Sequence, residues 1–444
     1  MAGIRQVLAR RSWGERLPKR IAWLSPMPPA RTGIASYSSS VLDGLHRIGF
    51  PEGLEIEAIW PAARRYEGAL PWYALCVYHL GNNVEFHRDI YRDAIGVPGL
   101  VVIHDLALDD FVKGMVARGD PVGRRSAREA IRNRERIRSK DLTTSEPLRV
   151  PWAAHVARRA RGIVVHSEFG RRYLRELGSM TPVFVVPHPV VEREGDIRRA
   201  SVRRMSLRRT LEARGMRTLV GVFGDLNAAK LIDVVCQAVG RLPEPVHLVL
   251  VGRRIEGYDV DAVVRESGLG GRLMLLADVS DPDFLAWMGA ADVAIDLRHP
   301  HRGEVSGSLA RAMQLGTSAI VSGTGTYLDV PDDLVVRVSP GRPDPRELAT
   351  AIERLVADPA FASRMGARAR AHVEAQAREE TTARGYADAI QRTLGLMRDP
   401  AHLALARWAG SLVDLSVTNE HLARGYGLSY ARALDELSPG DRGR

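Results

Sequence analysis

The sequence predicts an α/β protein built from two Rossmann-like domains. Three observations predict it. Short apolar strands alternate with amphipathic helices, which implies βαβ units and parallel sheets. The alternation breaks at a charged stretch from Glu192 to about Arg217 and then restarts. Beyond about Ala383 the pattern is helical, with no strand.

In chain order, the first set of strands is Ile21–Leu24, Ala74–His79, Leu100–His104, Gly162–His166 and Val183–Val186. Residues 18–190 are therefore expected to form the first domain, and the charged stretch to be an irregular linker. The second set is Leu219–Phe223, His247–Val251, Leu273–Leu276, Val293–Leu297, Ala319–Val321 and Val335–Val338, giving a second domain over residues 215–384. Helices are expected between them, among them Ala228–Arg241 and Ser308–Leu315. Residues 385–444 read as terminal helices.

Composition narrows the function classes. At ~150 residues per domain, 444 residues suit two large units. Aromatics are 6% of the chain, too sparse for a surface that stacks bases. No apolar run reaches the ~18 residues of a membrane span, and the Arg-interrupted start forms no signal-peptide core. Cys76 and Cys236 make neither a disulfide framework nor a cysteine metal site. A cytoplasmic chain is the expectation. The formal charge is +10, with 63 basic residues of which four are Lys (Lys19, Lys113, Lys140, Lys230). So lopsided a preference for Arg reflects coding composition more than anionic partners. The richest cluster, Lys113–Arg149, holds 11 basic and 5 acidic residues, with a basic helix expected at Arg124–Lys140. It reads either as a solvated surface or as a patch for anionic lipid or a phosphate-bearing acceptor, with peripheral contact at the inner membrane face.

Several chemistries are excluded by motif. No Gly precedes any of the four lysines, which removes a P-loop. Neither a G-x-G-x-x-G after a strand nor a G-x-S-x-G elbow is present. Asp259-Val260-Asp261 has a two-carboxylate spacing but reads as an exposed loop, so no metal is expected.

In parallel α/β proteins ligands gather at strand C-termini. After the first strand, Thr32-Gly33 opens a helix where backbone can approach a ligand. His79-Leu80-Gly81-Asn82-Asn83 and His104-Asp105 end two others with polar side chains. Gly224–Lys230 places one of the few lysines beside a helix start, suited to phosphate. Arg298–Ser308 follows another strand. There Ser306-Gly307-Ser308 offers amides and hydroxyls as an anion cradle, and Glu304 a carboxylate for sugar hydroxyls.

From Arg20 to Ala389 these pieces resemble, in order, the retaining glycosyltransferases of family 4, which have the GT-B fold of two parallel-sheet domains facing across a cleft. The matching pieces are Ser25-Pro26 through Ala35, Tyr78–Asn83, Val102–Asp105, Val165–Phe169, Val186–Pro189, Gly224–Lys230 and Gly303–Ser308. The resemblance implies a nucleoside-diphosphate sugar on the second domain and a hydroxyl acceptor (glycan, lipid-linked or small molecule) on the first. It also implies terminal helices that cross back to the first domain. Carried over residue by residue, it gives His104, Lys230 and Glu304 catalytic roles. Gly33, Gly224, Lys230, Glu304, Ser306, Gly307, Ser308 and Arg311 would bind donor; Thr32, Asn82, Asn83 and Asp105 would bind acceptor. Two departures stand out. Asp225 occupies a place that is often Arg, and Arg311 stands for the second glutamate of the family's Glu-x7-Glu motif, one residue early. The implied activity is metal-independent, retaining hexosyl transfer. A sugar-nucleotide epimerase of the same fold and a catalytically silent family member remain alternatives, and a nucleic-acid binder is the weakest reading.

Overall fold

In the computed structural model, which describes residues 20–30, 32–49, 54–60, 70, 73–189, 194–243, 246–376 and 378–398, the apolar runs become strands. The first set is β1 (Arg20–Leu24), α1 (Gly33–Ile48), β2 (Glu55–Ile59), β3 (Leu75–Leu80), α2 (Val84–Gly96), β4 (Leu100–Ile103), α3 (Asp109–Ala117), α4 (Pro121–Arg132), α5 (Ala154–Arg159), β5 (Gly162–Val165), α6 (Glu168–Glu176) and β6 (Val183–Val185). The second set is α7 (Glu194–Ala213), β7 (Thr218–Phe223), α8 (Ile232–Gly240), β8 (Val246–Gly252), α9 (Val260–Glu266), β9 (Leu273–Ala277), α10 (Asp281–Ala290), β10 (Val293–Asp296), α11 (Gly307–Gln314), β11 (Ser318–Ser322), β12 (Val336–Val338), α12 (Pro345–Ala357), α13 (Pro359–Gln376) and α14 (Glu379–Arg398).

Both sheets are six-stranded and parallel, ordered β2-β1-β3-β4-β5-β6 and β12-β11-β10-β7-β8-β9. Each order reverses once, between β1 and β3 and between β7 and β10. A crevice opens at such a point because the following loops diverge to opposite faces. Helices cover both faces of the second sheet, so its strands are apolar on both sides. Val220, Val222, Leu248 and Leu250 enter one core layer, while Leu219, Phe223, Val249 and Val251 enter the other. Burying each such side chain contributes about 1.5–3 kcal/mol.

All eleven expected strands form, and β2 is additional. Its sequence, Glu-Ile-Glu-Ala-Ile, is only partly buried at the sheet edge, so no continuous apolar run marked it. The charged stretch proves not to be irregular, for Glu194–Ala213 is a 20-residue helix. The basic helix is shorter than expected, ending at Arg132, with a 3-10 turn at Lys140–Thr143. The helix expected at Ala228–Arg241 is split by Leu231, which takes a left-handed φ of 52°. Asp259 is exposed at the end of a loop, as expected, but its carboxylate caps α9, and Asp261 lies in that helix's first turn and pairs with Arg254.

The β10–α11 loop ties the sheets together. Arg302 Nε and Nη2 donate to Asp109 and Asp110 at 2.9 and 2.7 Å, and Arg302 O accepts from Ala107 N at 3.0 Å. Ser145 Oγ donates to His301 O, and Phe169 N to Asp329 Oδ2 at 2.9 Å. Gly303, at φ 76°, lies so close to Leu106 that a Cβ would sit 2.6 Å from Leu106 Cδ1. The described chain up to Ala387 is one compact unit, and Asp388 onward belongs to another. Before that boundary the chain returns to the first sheet. Thr382 Oγ1 donates to Pro187 O at 3.1 Å, and the Tyr386 and Tyr37 hydroxyls meet at 2.7 Å. Of the terminal helices expected at 385–444, residues 399–444 lie outside the described residues.

Candidate functional site

The first sheet supplies its loops through helix caps. Thr32 Oγ1 accepts from Ala35 N at 3.0 Å and starts α1 at Gly33, while Asn83 Oδ1 accepts from Glu85 N at 2.9 Å and starts α2. Such caps satisfy amides the helix cannot. Asn82 is fully engaged. Its Nδ2 reaches Asp109 and Asp110 at 3.2 Å, its Oδ1 accepts from Phe111 N at 2.9 Å, and its amide donates to Asp105 Oδ2 at 2.9 Å. The Asn82 residue also lines the cleft. It is scaffold that fixes Asp105 and the start of α3.

His104 belongs to a chain of histidines. Val186 O can only accept, so His166 Nδ1 donates to it, at 2.9 Å. With His166 Nε2 then an acceptor, His104 Nδ1 donates to it at 3.3 Å, and His79 Nδ1 donates to His104 Nε2 at 3.1 Å. The chain ends at His79 Nε2, buried and without a partner among the described residues. Both ring nitrogens of His104 are thus engaged, and its imidazole has no N–H left for a sugar. The ring itself lines the cleft. Burial, then neighbouring histidines, holds His79 and His104 well below the usual imidazole range; it lowers His166 to about 3 and His87 to about 4.

A pH dependence follows. These rings are neutral when folded and protonate at ~6.5 when unfolded, so acid favours the unfolded chain. Each costs about 1.4 kcal/mol per pH unit from ~6.5 down to its folded value. The urea midpoint should therefore fall steeply between about pH 6.5 and 4. A midpoint flat over that range would contradict neutral, buried histidines.

On the second sheet, Lys230 closes a single 3-10 turn instead of opening α8. Its ammonium is 2% exposed and donates to Asp296 Oδ1 at 3.0 Å. The other oxygen of Asp296 accepts from Ser306 Oγ and from Tyr327 OH. Burial alone would raise Asp296; Lys230 and Arg298 outweigh it and hold the carboxyl below its ordinary value. Ser306 Oγ also accepts from Leu309 N as the cap of α11, and Ser308 Oγ donates to Phe223 O at 3.1 Å. The hydroxyls of Ser306 and Ser308 and the Lys230 ammonium are thus each bonded within the second sheet's framework. The amides of Gly307 and Ser308, in the first turn of α11, have no intrahelical acceptor.

Two glycines let this floor come close to the cleft. A Cβ on Gly224, at φ 96°, would fall 2.6 Å from Ser308 Oγ and 3.8 Å from Lys230 Nζ. One on Gly252 would fall 1.7 Å from Gly224 O. Only hydrogen fits at either position.

Two adjoining cavities of about 610 and 660 Å³ lie where the loops of the two sheets meet. Thr32, Gly33, Asp225, Arg253 and Arg311 line both; Asn82, Asn83, His104, Asp105, Glu304 and Gly307 line the first, and Gly224 the second. Lys230, Ser306 and Ser308 line neither. Glu304 is aimed by its own loop, with Oε2 accepting from Arg302 N at 2.6 Å and Oε1 lying 3.4 Å from Arg298. Across from it Asp105 is pushed up to about 6, first by burial and then by the charge of Glu304. A buried carboxyl with a raised pKa beside a second carboxylate in one cleft marks a site for chemistry. Sequence reasoning passed over Asp225 as a binding group. Its carboxylate holds Arg253 by two bonds of 2.8 and 2.9 Å, presenting a guanidinium to the cavity. It also passed over Asp296, although a polar residue ending an apolar strand is the signal that marked His79 and His104. Among the described residues, no group of three or more His, Cys, Asp or Glu could hold a metal ion.

Residues 204–372, the span that builds α11, its loop and the second sheet, match the family described as glycosyl transferases group 1. The whole architecture is GT-B. A sucrose-phosphate synthase from Thermosynechococcus elongatus is 18% identical, with TM-score 0.59, covering 85% of this chain and 99% of its own. Anabaena Alr3699/HepE, solved with UDP-glucose, is 15% identical with TM-score 0.58, covering 84% and 99%. A Rickettsia africae glycosyltransferase is 12% identical with TM-score 0.56, covering 85% and 99%. At these identities the likeness is one of fold. No curated protein matches the chain by sequence.

Proposed function

We propose that the protein is a retaining glycosyltransferase that moves a hexose from a nucleoside-diphosphate sugar to a hydroxyl acceptor. One observation carries this reading. The cleft sets Glu304 and Gly307, whose amide opens α11, on one wall, opposite Asp105 and the Gly33 loop on the other. A carboxylate beside an anion cradle suits a sugar attached to a phosphate. The match of residues 204–372 and the UDP-glucose bound to a protein of the same fold support the donor class.

In this mechanism negative charge builds on the oxygen of the departing diphosphate. The Gly307 amide, Arg253 and Arg311 stabilise it, electrostatic stabilisation being the largest usual term. Lys230 acts from beneath Gly224 through its pair with Asp296. Glu304 holds sugar hydroxyls, Asp105 and Thr32 the acceptor, and His104 forms the cleft wall that its histidine chain keeps rigid. The acceptor attacks from the face the diphosphate leaves, which takes the acceptor's proton. The acceptor is a glycan, a lipid-linked saccharide or a small molecule. The exposed arginines Arg124, Arg125, Arg128 and Arg132 of α4, around Ile131 at 52% exposure, suit an anionic lipid surface. Co-sedimentation with anionic but not neutral vesicles checks that contact.

Screening nucleotide sugars by thermal shift should find one that raises Tm, since ligand binding stabilises by mass action. Incubation with acceptor should then yield a glycoside of unchanged anomeric configuration, equally in EDTA. Loss of transfer in EDTA with recovery in Mg²⁺ or Mn²⁺ would refute a metal-independent site. The sequestered ammonium of Lys230 favours one second reading, a catalytically silent binder. Donor binding without any transfer would select it.

A further inference from the structure

The edge of the second sheet away from the cleft, where β7, β10 and β11 begin, holds a separate cavity of about 420 Å³. Arg204 and Arg208, one turn apart on α7, line it together with Arg217, the residue just before β7. Asp292 is the carboxylate inside, and it is already engaged. Arg208 donates to its two oxygens at 3.1 and 3.3 Å, and Leu219 N to Oδ2 at 2.8 Å. Glu212, more than half exposed and outside the cavity lining, also pairs with Arg208, 3.8 Å from Nε. Both carboxylates are thus paired with Arg208, and the charge of Asp292 also reaches Arg204. Among the described residues, the guanidinium groups of Arg204 and Arg217 have neither a hydrogen bond nor an ion pair.

Arg204 and Arg217 are both exposed at the mouth of the cavity; partial burial and then the charge of Arg208 lower the pKa of Arg204, against the opposing charge of Asp292. The opposite wall is the start of α13, with Pro359, Ala362 and Ser363. Its terminus is partly neutralised by Asp358, which accepts from Phe361 N at 2.8 Å, so the arginines dominate. Small residues, Gly289, Gly316 and Ser318, leave the volume open.

We propose that this cavity is a binding site for a small phosphate-bearing anion, gripped by Arg204 and Arg217. Guanidinium forks match phosphate oxygens and are weakly hydrated, so they bind such groups well when clustered. The volume lies at the lower end of small-ligand sites, roughly 300–1,000 Å³. The site is independent of the donor reading of the cleft.

Calorimetric titration at fixed ionic strength tests it, with inorganic pyrophosphate and a hexose 6-phosphate as probes. Saturable binding of at least one is expected in the wild type. It should weaken at least about tenfold in Arg204→Gln and in Arg217→Gln, and stay unchanged in the cleft variant Arg253→Gln. Among the described residues Arg204 makes no hydrogen bond or ion pair, so the ligand-free Arg204→Gln protein should keep close to the wild-type Tm, and Arg217→Gln serves as the second reading. The tighter probe tells inorganic from sugar phosphate. No saturable binding of either probe at millimolar concentration overturns the proposal. So does binding that Arg253→Gln abolishes while Arg204→Gln and Arg217→Gln leave it intact.

Discussion

Lys230→Ala should lower stability by about 3–5 kcal/mol, because it strands the carboxylate of Asp296 without its buried partner. At 2–4 °C per kcal/mol for domains of this size, Tm should fall by at least about 6 °C. The residue is 2% exposed and its ammonium lies 3.0 Å from Asp296, so solvent screening does not soften the loss. From sequence alone, a lysine beside a helix start would be expected to tolerate alanine with the fold intact. Removing both charges separates framework from chemistry. Lys230→Met with Asp296→Asn keeps acceptor and donor atoms for Ser306 and Tyr327 and should recover most of the lost stability. Any remaining deficit in kcat then measures the field of Lys230 beneath Gly224. If Lys230→Ala left Tm within about 2 °C of wild type while turnover collapsed, the ammonium would have to face the ligand directly.

The contrast between those two expectations shows what was legible. Parallel strands buried on both faces read as apolar runs, which is why β1, β3 to β6 and β7 to β12 were all visible. The edge strand β2 alternates Glu with Ile and left no such trace. Helix α7 buries little besides Ala200 and Leu211, so its charge concealed its helicity. At the site, the loops and Glu304 were legible because glycines and polar residues punctuate apolar strands there. Their partners were not. The bonds His79–His104–His166, Lys230–Asp296 and Asp225–Arg253 join residues 25 to 66 positions apart, brought together by the sheet order. A motif shows which residue stands at a strand end. It does not show whether that residue faces the cleft or the framework beneath it.

Glu304 faces the cleft, and Glu304→Gln should separate its two interactions. The amide keeps an oxygen for Arg302 N but loses the charge opposite Arg298, whose guanidinium lies 3.4 Å away. With Arg298 still beside Asp296, that loss should cost about 1 kcal/mol of stability, the size of an ordinary hydrogen bond. Turnover should fall further, by at least ~10-fold, because a charged hydrogen bond to a sugar hydroxyl contributes ~1.5–3 kcal/mol. The pH profile gives a second, independent readout. Asp105 stands at about 6, raised first by burial and then by Glu304, so below that pH it carries a proton. Removing the charge of Glu304 takes away one of the two influences that raise the Asp105 pKa, so that pKa falls. The acid limb of kcat/KM should therefore move to lower pH in Glu304→Gln, even as the plateau drops. A simple packing role for Glu304 would shift Tm and leave both the plateau and the limb in place. A near-wild-type rate with an unmoved limb would remove Glu304 from the donor site and Asp105 from the titration.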